Sequence, residues 1–309
     1  MSEKILHILN GDTLVDRLPK IGIHDDQLVW REMLCEGKTT YDFTSEAFKN
    51  ERIAYLKQFK ATEETYTTSF LKPLLTTNYE NYTTIILWFE YDLFCHINMI
   101  AALSYLKQQK ITANIYLVCS GWIENDTQLK GLGELSEKEL KNHYENKIKL
   151  NKDDIRLADQ LWRLYCENDH TLFKKYTTVT SSFPYLSSCI SAHLKRFPSV
   201  KSGLNVLETN ILEIIHKQKI KNERQLVGYV LQYQGYYGFG DLQIQNIIHK
   251  LASFFETKNG QFVLNRKGLL AKDHIKSFYD ELSDDTIFGN CSKYEYCYHL
   301  SKLILTKHE

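Results

Sequence analysis

No sign of charge predominates in this chain: its 309 residues carry 38 basic and 38 acidic side chains. No global field draws it to nucleic acid or to an anionic membrane, so either partner has to be met by a local patch. Cys-x-x-Cys is absent, and no two histidines stand at zinc-ligand spacing, which excludes the common zinc modules. The seven cysteines, Cys35, Cys95, Cys119, Cys166, Cys189, Cys291 and Cys297, are odd in number, scattered and mostly set in apolar surroundings. That pattern suits reduced thiols in a cytoplasmic protein better than a disulfide frame. Met1-Ser2-Glu3-Lys4 leads into the first strand candidate without a long apolar segment. No later window approaches the roughly 20 apolar residues that span a bilayer, so no membrane partner is expected. Internal repeats and low-complexity tracts are missing too. No Asp-x-x-His follows Asn10-Gly11-Asp12-Thr13, which argues against an esterase whose serine follows the first strand.

What is present reads as an ordinary soluble globular protein, 43% hydrophobic and 25% charged. The length exceeds a usual single core. The expected division is an α/β domain over 1–135, a helical connecting segment over 136–200 and a further domain over 201–309. Short apolar runs at 4–9, 27–31, 83–89 and 114–119 predict strands, and the continuous apolar character of the third implies burial on both faces. Helical spacing lies between them: Leu14 and Leu18, then Phe48, Ile53, Leu56, Phe59 and Phe70, then Leu93 to Leu106. Alternation of this kind predicts βαβ units and a Rossmann-like parallel sheet. Ser136-Glu137-Lys138-Glu139 has capping-box composition, and 155–162 is strongly amphipathic.

Beyond Gly203 the pattern becomes three helices and a hairpin. Leu207, Ile211, Leu212 and Ile215 form the first stripe, Leu226, Val230 and Leu231 the second, and Leu242, Ile244, Ile247, Ile248 and Leu251 the third. Lys258-Asn259-Gly260 then separates two short β segments. This order predicts a C-terminal winged-helix-like domain.

Ile5 to Asp12, Val29-Trp30-Arg31-Glu32, Glu36-Gly37, Leu87 to Glu90, Asp92-Leu93, Gly131-Leu132-Gly133-Glu134-Leu135, Phe197-Pro198-Ser199 and Phe239-Gly240-Asp241 together resemble the bacterial family called domain of unknown function 1835. The resemblance spans nearly the whole chain. It implies the architecture above and no established activity. The family pattern has a histidine and Asp-Gln where this chain has Tyr91 and Cys95-His96, so chemistry resting on that histidine is not implied here.

The polar groups at the strand ends would share one rim of a parallel sheet, where open α/β proteins bind ligands. Asn10-Gly11-Asp12-Thr13 places a flexible glycine and a helix start at the first strand end, able to receive an anion through backbone amides; Asp12 either acts there or caps the helix. Trp30 offers a stacking face and Arg31 a fork of donors, unless Arg31 pairs with Asp12, Glu36 or Glu90. Glu90 and Asp92 can act as an acid/base pair or chelate a cation, Asp92 being equally placed as a helix cap. His96, one turn on, can carry protons into the same cleft. Cys119, without an identifiable base, reads as a buried thiol. In the C-terminal part Lys195, Arg196, Lys201, Lys217, Lys219, Lys221 and Arg224 outnumber Glu208, Glu213 and Glu223, a patch suited to phosphates. Lys217, Lys221, Gln243 and Asn246 are the expected nucleic-acid contacts.

The leading expectation is therefore a protein that binds a small anionic or nucleotide-like molecule at the rim, as a hydrolase or transferase. The alternatives are a ligand-responsive DNA-binding regulator and a non-catalytic interaction scaffold. No pattern specifies a cofactor, a metal or an oligomeric state.

Overall fold

The computed structural model describes residues 3–123 and 128–308, so the middle of the loop expected over 121–133 lies outside the described residues. The first apolar run is the strand Ile5–Asn10 (β1). A helix expected after it is replaced by two short 3-10 turns, because Pro19 and the left-handed Gly22 punctuate the sequence before a full helix can build. The next runs give Asp26–Trp30 (β2), the short Gly37–Lys38 (β3), Thr84–Trp88 (β4), Asn114–Val118 (β5) and Ile148–Lys149 (β6). Five of these form one sheet in the order β2-β1-β4-β5-β6, all parallel except the edge pairing of β5 with β6. β4 is buried along its whole length, as its unbroken apolar sequence requires of a central parallel strand.

Helices Glu46–Leu56 (α1), Glu63–Tyr66 (α2) and Lys72–Thr76 (α3) connect β3 to β4, with a π-turn over Thr67–Leu71. Leu93–Gln108 (α4) joins β4 to β5, and Glu137–Glu145 (α5) and Lys152–Tyr165 (α6) flank β6. The Ser136 and Glu139 capping box starts α5 as expected. One face of the sheet packs Leu9, Ile86, Trp88 and Val118 against Leu14, Leu18, Leu132, Leu135 and Leu140. α4 packs against α6 and is buried on nearly every side: only Phe94, Lys107 and Gln108 of its 16 residues escape burial.

The chain divides into two units. The first comprises Met1–Asn168, Thr178–Leu186 and Phe288–Asn290, the last segment supplying Phe288 and Gly289 as parallel partners of β3. The second comprises Asp169–Thr177, Ser187–Ile287 and Cys291–Glu309. The segment expected to connect two domains over 136–200 is thus shared between them.

In the second unit, most of Leu186–Leu194 (α7) is followed by Val206–Lys217 (α8), Glu223–Tyr233 (α9) and Asp241–Lys250 (α10). Phe255–Lys258 (β7) and Gln261–Leu264 (β8) then pair antiparallel, with Asn259 and Gly260 both left-handed in the turn. Arg266–Lys272 (α11) comes next. Leu242, expected in the third apolar stripe, is 59% exposed. All seven cysteines are free and buried or half-buried. No helix among the described residues is long and apolar enough to cross a membrane.

Candidate acid-base rim at the sheet switch point

The chain runs from β1 outward to β2, then returns past β1 to β4 and continues to β5. Strand order reverses between β1 and β4, and the carboxyl ends of strands at such a reversal leave a crevice. Asn10 ends β1, and Glu90 and Asp92 follow β4.

Asn10 is oriented from α4. The fully buried Asn98 donates to Asn10 Oδ1 at 2.8 Å and to the Glu32 carbonyl at 2.6 Å, while its own oxygen accepts from the Leu34 amide at 3.1 Å. Asn10 in turn donates to Cys95 Sγ at 3.0 Å. Asp92 caps α4, accepting from the Cys95 amide at 2.8 Å. One ligating atom each from Glu90, Asp92 and Cys95 lies within 4.8 Å of the others. Glu90 accepts from the Gly133 amide at 3.3 Å, and a Cβ at Gly131 would fall 2.8 Å from its carboxylate oxygens, so a larger residue there would displace the Glu90 carboxylate. Arg17 holds the loop from behind, donating to the carbonyls of Leu132 at 3.0 Å, Gly133 and Leu135.

The electrostatics follow from burial. Asp92 is 6% exposed, and desolvation, with the Glu90 charge beside it, pushes its carboxyl up to about 7. Burial raises Glu90 as well, with the Glu134 charge adding to it. Burial and the neighbouring Asp92 charge hold the Cys95 thiol well above its ordinary range. Cys119, just after β5, is raised by burial and by the same two carboxylates, and Ser120 beside it buries a hydroxyl with no hydrogen-bond partner among the described residues. With Asp92 buried and Glu90 half-buried beside it, each carboxylate disfavours ionisation of the other. Glu90, Asp92 and Cys95 supply the oxygen and sulfur donors a transition metal accepts, and the two carboxylates alone suit Mg2+ or Mn2+.

Other expected site residues take different places. Asp12 does not cap: it pairs with Arg31 through three contacts of 2.6–3.1 Å, and Arg31 also donates to the Ser69 carbonyl at 2.9 Å. The guanidinium is thus committed to the ion pair. Gly11, at φ 82°, donates to the Trp30 carbonyl at 3.2 Å and extends the β1–β2 ladder; Thr13 is exposed beyond it. Trp30 is 1% exposed, its ring edge-on to Phe43 and Phe70, so it is core and offers no stacking face. His96 is buried, with Nδ1 2.9 Å from the Asp92 carbonyl; desolvation lowers it to about 4, which keeps it neutral and removes it as a proton carrier near pH 7.

Among the nucleic-acid residues, Gln243 is buried and its side-chain oxygen accepts from the Gly240 amide at 3.0 Å, which closes the N-terminus of α10 and takes it away from any base. Asn246, Lys217 and Lys221 are exposed, with Lys217 3.4 Å from Glu213. Arg196, counted in the basic surplus, is buried with Nη2 2.5 Å from His193 Nδ1.

Arg17 and Asn98 were not legible as site residues. Arg17 lies in a polar turn and Asn98 inside an apolar helix, where a buried amide among hydrophobic neighbours is the one available signal. No family model matches the chain, and no curated protein matches it.

Proposed function

We propose that the rim between β1 and β4 is a small-molecule site where Glu90 and Asp92 act as an acid-base pair, in a hydrolase or transferase acting on a nucleotide-like ligand. The convergence of Glu90, Asp92 and Cys95 at the point where strand order reverses carries this reading. The rim is acidic, so a phosphate-bearing ligand would arrive with a divalent cation bridging it to the two carboxylates. Asn10, held by Asn98, supplies an oriented amide for the uncharged part. The motifs that build this rim, Asn10-Gly11-Asp12, Glu90 and Gly131–Leu135, are among those that carry the resemblance to the domain of unknown function 1835 family. Seven free thiols support a cytoplasmic setting.

A thermal-shift screen of nucleotides and phosphorylated metabolites, with and without Mg2+ or Mn2+, tests the reading. A ligand that binds only the folded chain raises the melting temperature by mass action. The expected result is a shift that needs the cation and is lost in Glu90→Gln. A shift that Glu90→Gln leaves intact would remove the rim from consideration.

A second reading rests on the exposed run His216, Lys217, Lys219, Lys221 and Arg224 around the turn from α8 to α9. With the hairpin following α10, it supports a winged-helix-like unit that contacts duplex DNA through phosphates. Fluorescence anisotropy with a labelled duplex should then show affinity falling steeply with salt, and a shallower slope in a Lys217→Glu, Lys221→Glu double variant. Affinity that is flat in salt removes this reading.

A further inference from the structure

Three of the four tryptophans are core: Trp30 and Trp88 are 1% exposed and Trp162 0%, whereas Trp122 is 59% exposed. An indole left in water forgoes one of the largest apolar burials a side chain offers. Trp122 comes after β5 as Glu90 and Asp92 come after β4, so both segments leave the same edge of neighbouring parallel strands.

The backbone at Trp122 is pinned although its ring is exposed. The Trp122 amide donates to the Tyr185 hydroxyl at 2.9 Å, and the preceding Gly121 carbonyl accepts from the Lys130 amide at 3.0 Å. A Cβ at Gly121 would run into the Tyr185 hydroxyl, so a larger residue there would displace the group that holds Trp122. Both anchors lead to the rim, and all of these residues belong to the first unit. Tyr185 packs edge-on against Tyr91 with ring centroids 6.1 Å apart, and Tyr91 stands between Glu90 and Asp92 in the chain. Burial, then the Asp92, Glu134 and Glu90 charges, raise the Tyr91 phenol, which sets its hydroxyl among the rim carboxylates. Lys130 precedes Gly131, the residue that lies against the Glu90 carboxylate. An exposed aromatic face on an anchored backbone is what stacks a base, and it supplies the face that the buried Trp30 does not.

We propose that Trp122 stacks the base of a nucleoside phosphate held at the rim, so that the rim selects ligands carrying a base over sugar phosphates. This role rests on the rim reading above and adds to it the recognition of the ring.

Isothermal titration of the full chain with AMP and Mg2+ tests this, with ribose 5-phosphate and Mg2+ as the comparison that has the same sugar and phosphate without the base. AMP is expected to bind at least tenfold tighter, the difference that one stacked base makes. Trp122→Ala, whose melting temperature should match that of the parent chain because the ring is exposed, should bring AMP down to the level of ribose 5-phosphate and leave ribose 5-phosphate unchanged. Trp122→Phe should keep most of the difference. Glu90→Gln should weaken both compounds, because it acts on the phosphate and its cation. Fluorescence gives a second readout: acrylamide quenches the exposed Trp122 ahead of the three buried tryptophans, and AMP should protect that fraction where ribose 5-phosphate does not. Equal affinity for the two compounds, or affinity for AMP that survives Trp122→Ala, overturns the stack and leaves the rim reading standing. Glu90→Gln without effect on either compound overturns the rim reading and the stack with it, as does the absence of saturable binding up to ~10 mM.

Discussion

Asp92→Asn raises the melting temperature at pH 8 and loses that advantage toward pH 4. The folded chain keeps the Asp92 proton up to about pH 7, whereas the unfolded chain releases it near 3.8. Between those values the folded state binds more protons, so Asp92 makes stability fall as pH rises, and the full cost applies above about 7. That cost is on the order of 4 kcal/mol, since each tenfold change in proton affinity corresponds to about 1.4 kcal/mol. Asparagine caps a helix as well as aspartate does, so the bond to the Cys95 amide at 2.8 Å is retained and only the buried charge disappears. Melting curves of both proteins from pH 4 to pH 8 give the comparison. Parallel curves, or a variant less stable at every pH, would show that Asp92 sits comfortably ionised. If the rim acts as proposed, the more stable variant should be the one that no longer responds to rim ligands.

Arg52→Ala should cost the first unit about 3–5 kcal/mol, the range for leaving a buried charge without its partner. Arg52 and Glu32 are both buried and meet as a fork, Nε to Oε1 and Nη2 to Oε2 at 2.9 Å each. The guanidinium also donates to the carbonyls of Glu36 at 2.8 Å and of Met33 and Lys38 at 3.2 Å, tying the turn after β2 to α1. Tyr66 and the Met33 amide remain on Glu32 at 2.7 and 2.8 Å when Arg52 is gone, and two neutral donors do not balance a buried carboxylate. Adding Glu32→Gln to Arg52→Ala should recover part of the loss, because the orphaned charge goes with it. Urea unfolding of the two single variants and the double variant measures the coupling. Additive losses would mean that the ion pair itself contributes little and that the carbonyl contacts dominate.

The strand ends were readable because short apolar runs bounded by polar residues leave few other interpretations, whereas the strand order, and with it the reversal beside β1, shows only in the fold. Trp30 was misplaced although the signal existed: it lies two residues from Leu28, hence on the same face of β2, and that face is buried. Gln243 stands at capping-box spacing from Gly240, and that position, not its amide chemistry, decides where the side chain goes. Arg52 resisted for a different reason. Its partner is 20 residues away across a turn, and an arginine in a polar-looking helix gives no sign that it is buried until the chain is folded around it. Asp12 and Arg31 were paired as one of the foreseen options; distance in space, not residue type, chose among Asp12, Glu36 and Glu90.

The burial of α4 on all sides has a kinetic meaning for whatever enters the rim. Asp92, Cys95 and Asn98 ride on one rod whose backbone amides lie far from solvent, and such segments open only with the whole unit. In the proposed site a ligand would therefore meet side chains already fixed in place, and its association would not wait on the ordering of the residues that hold it.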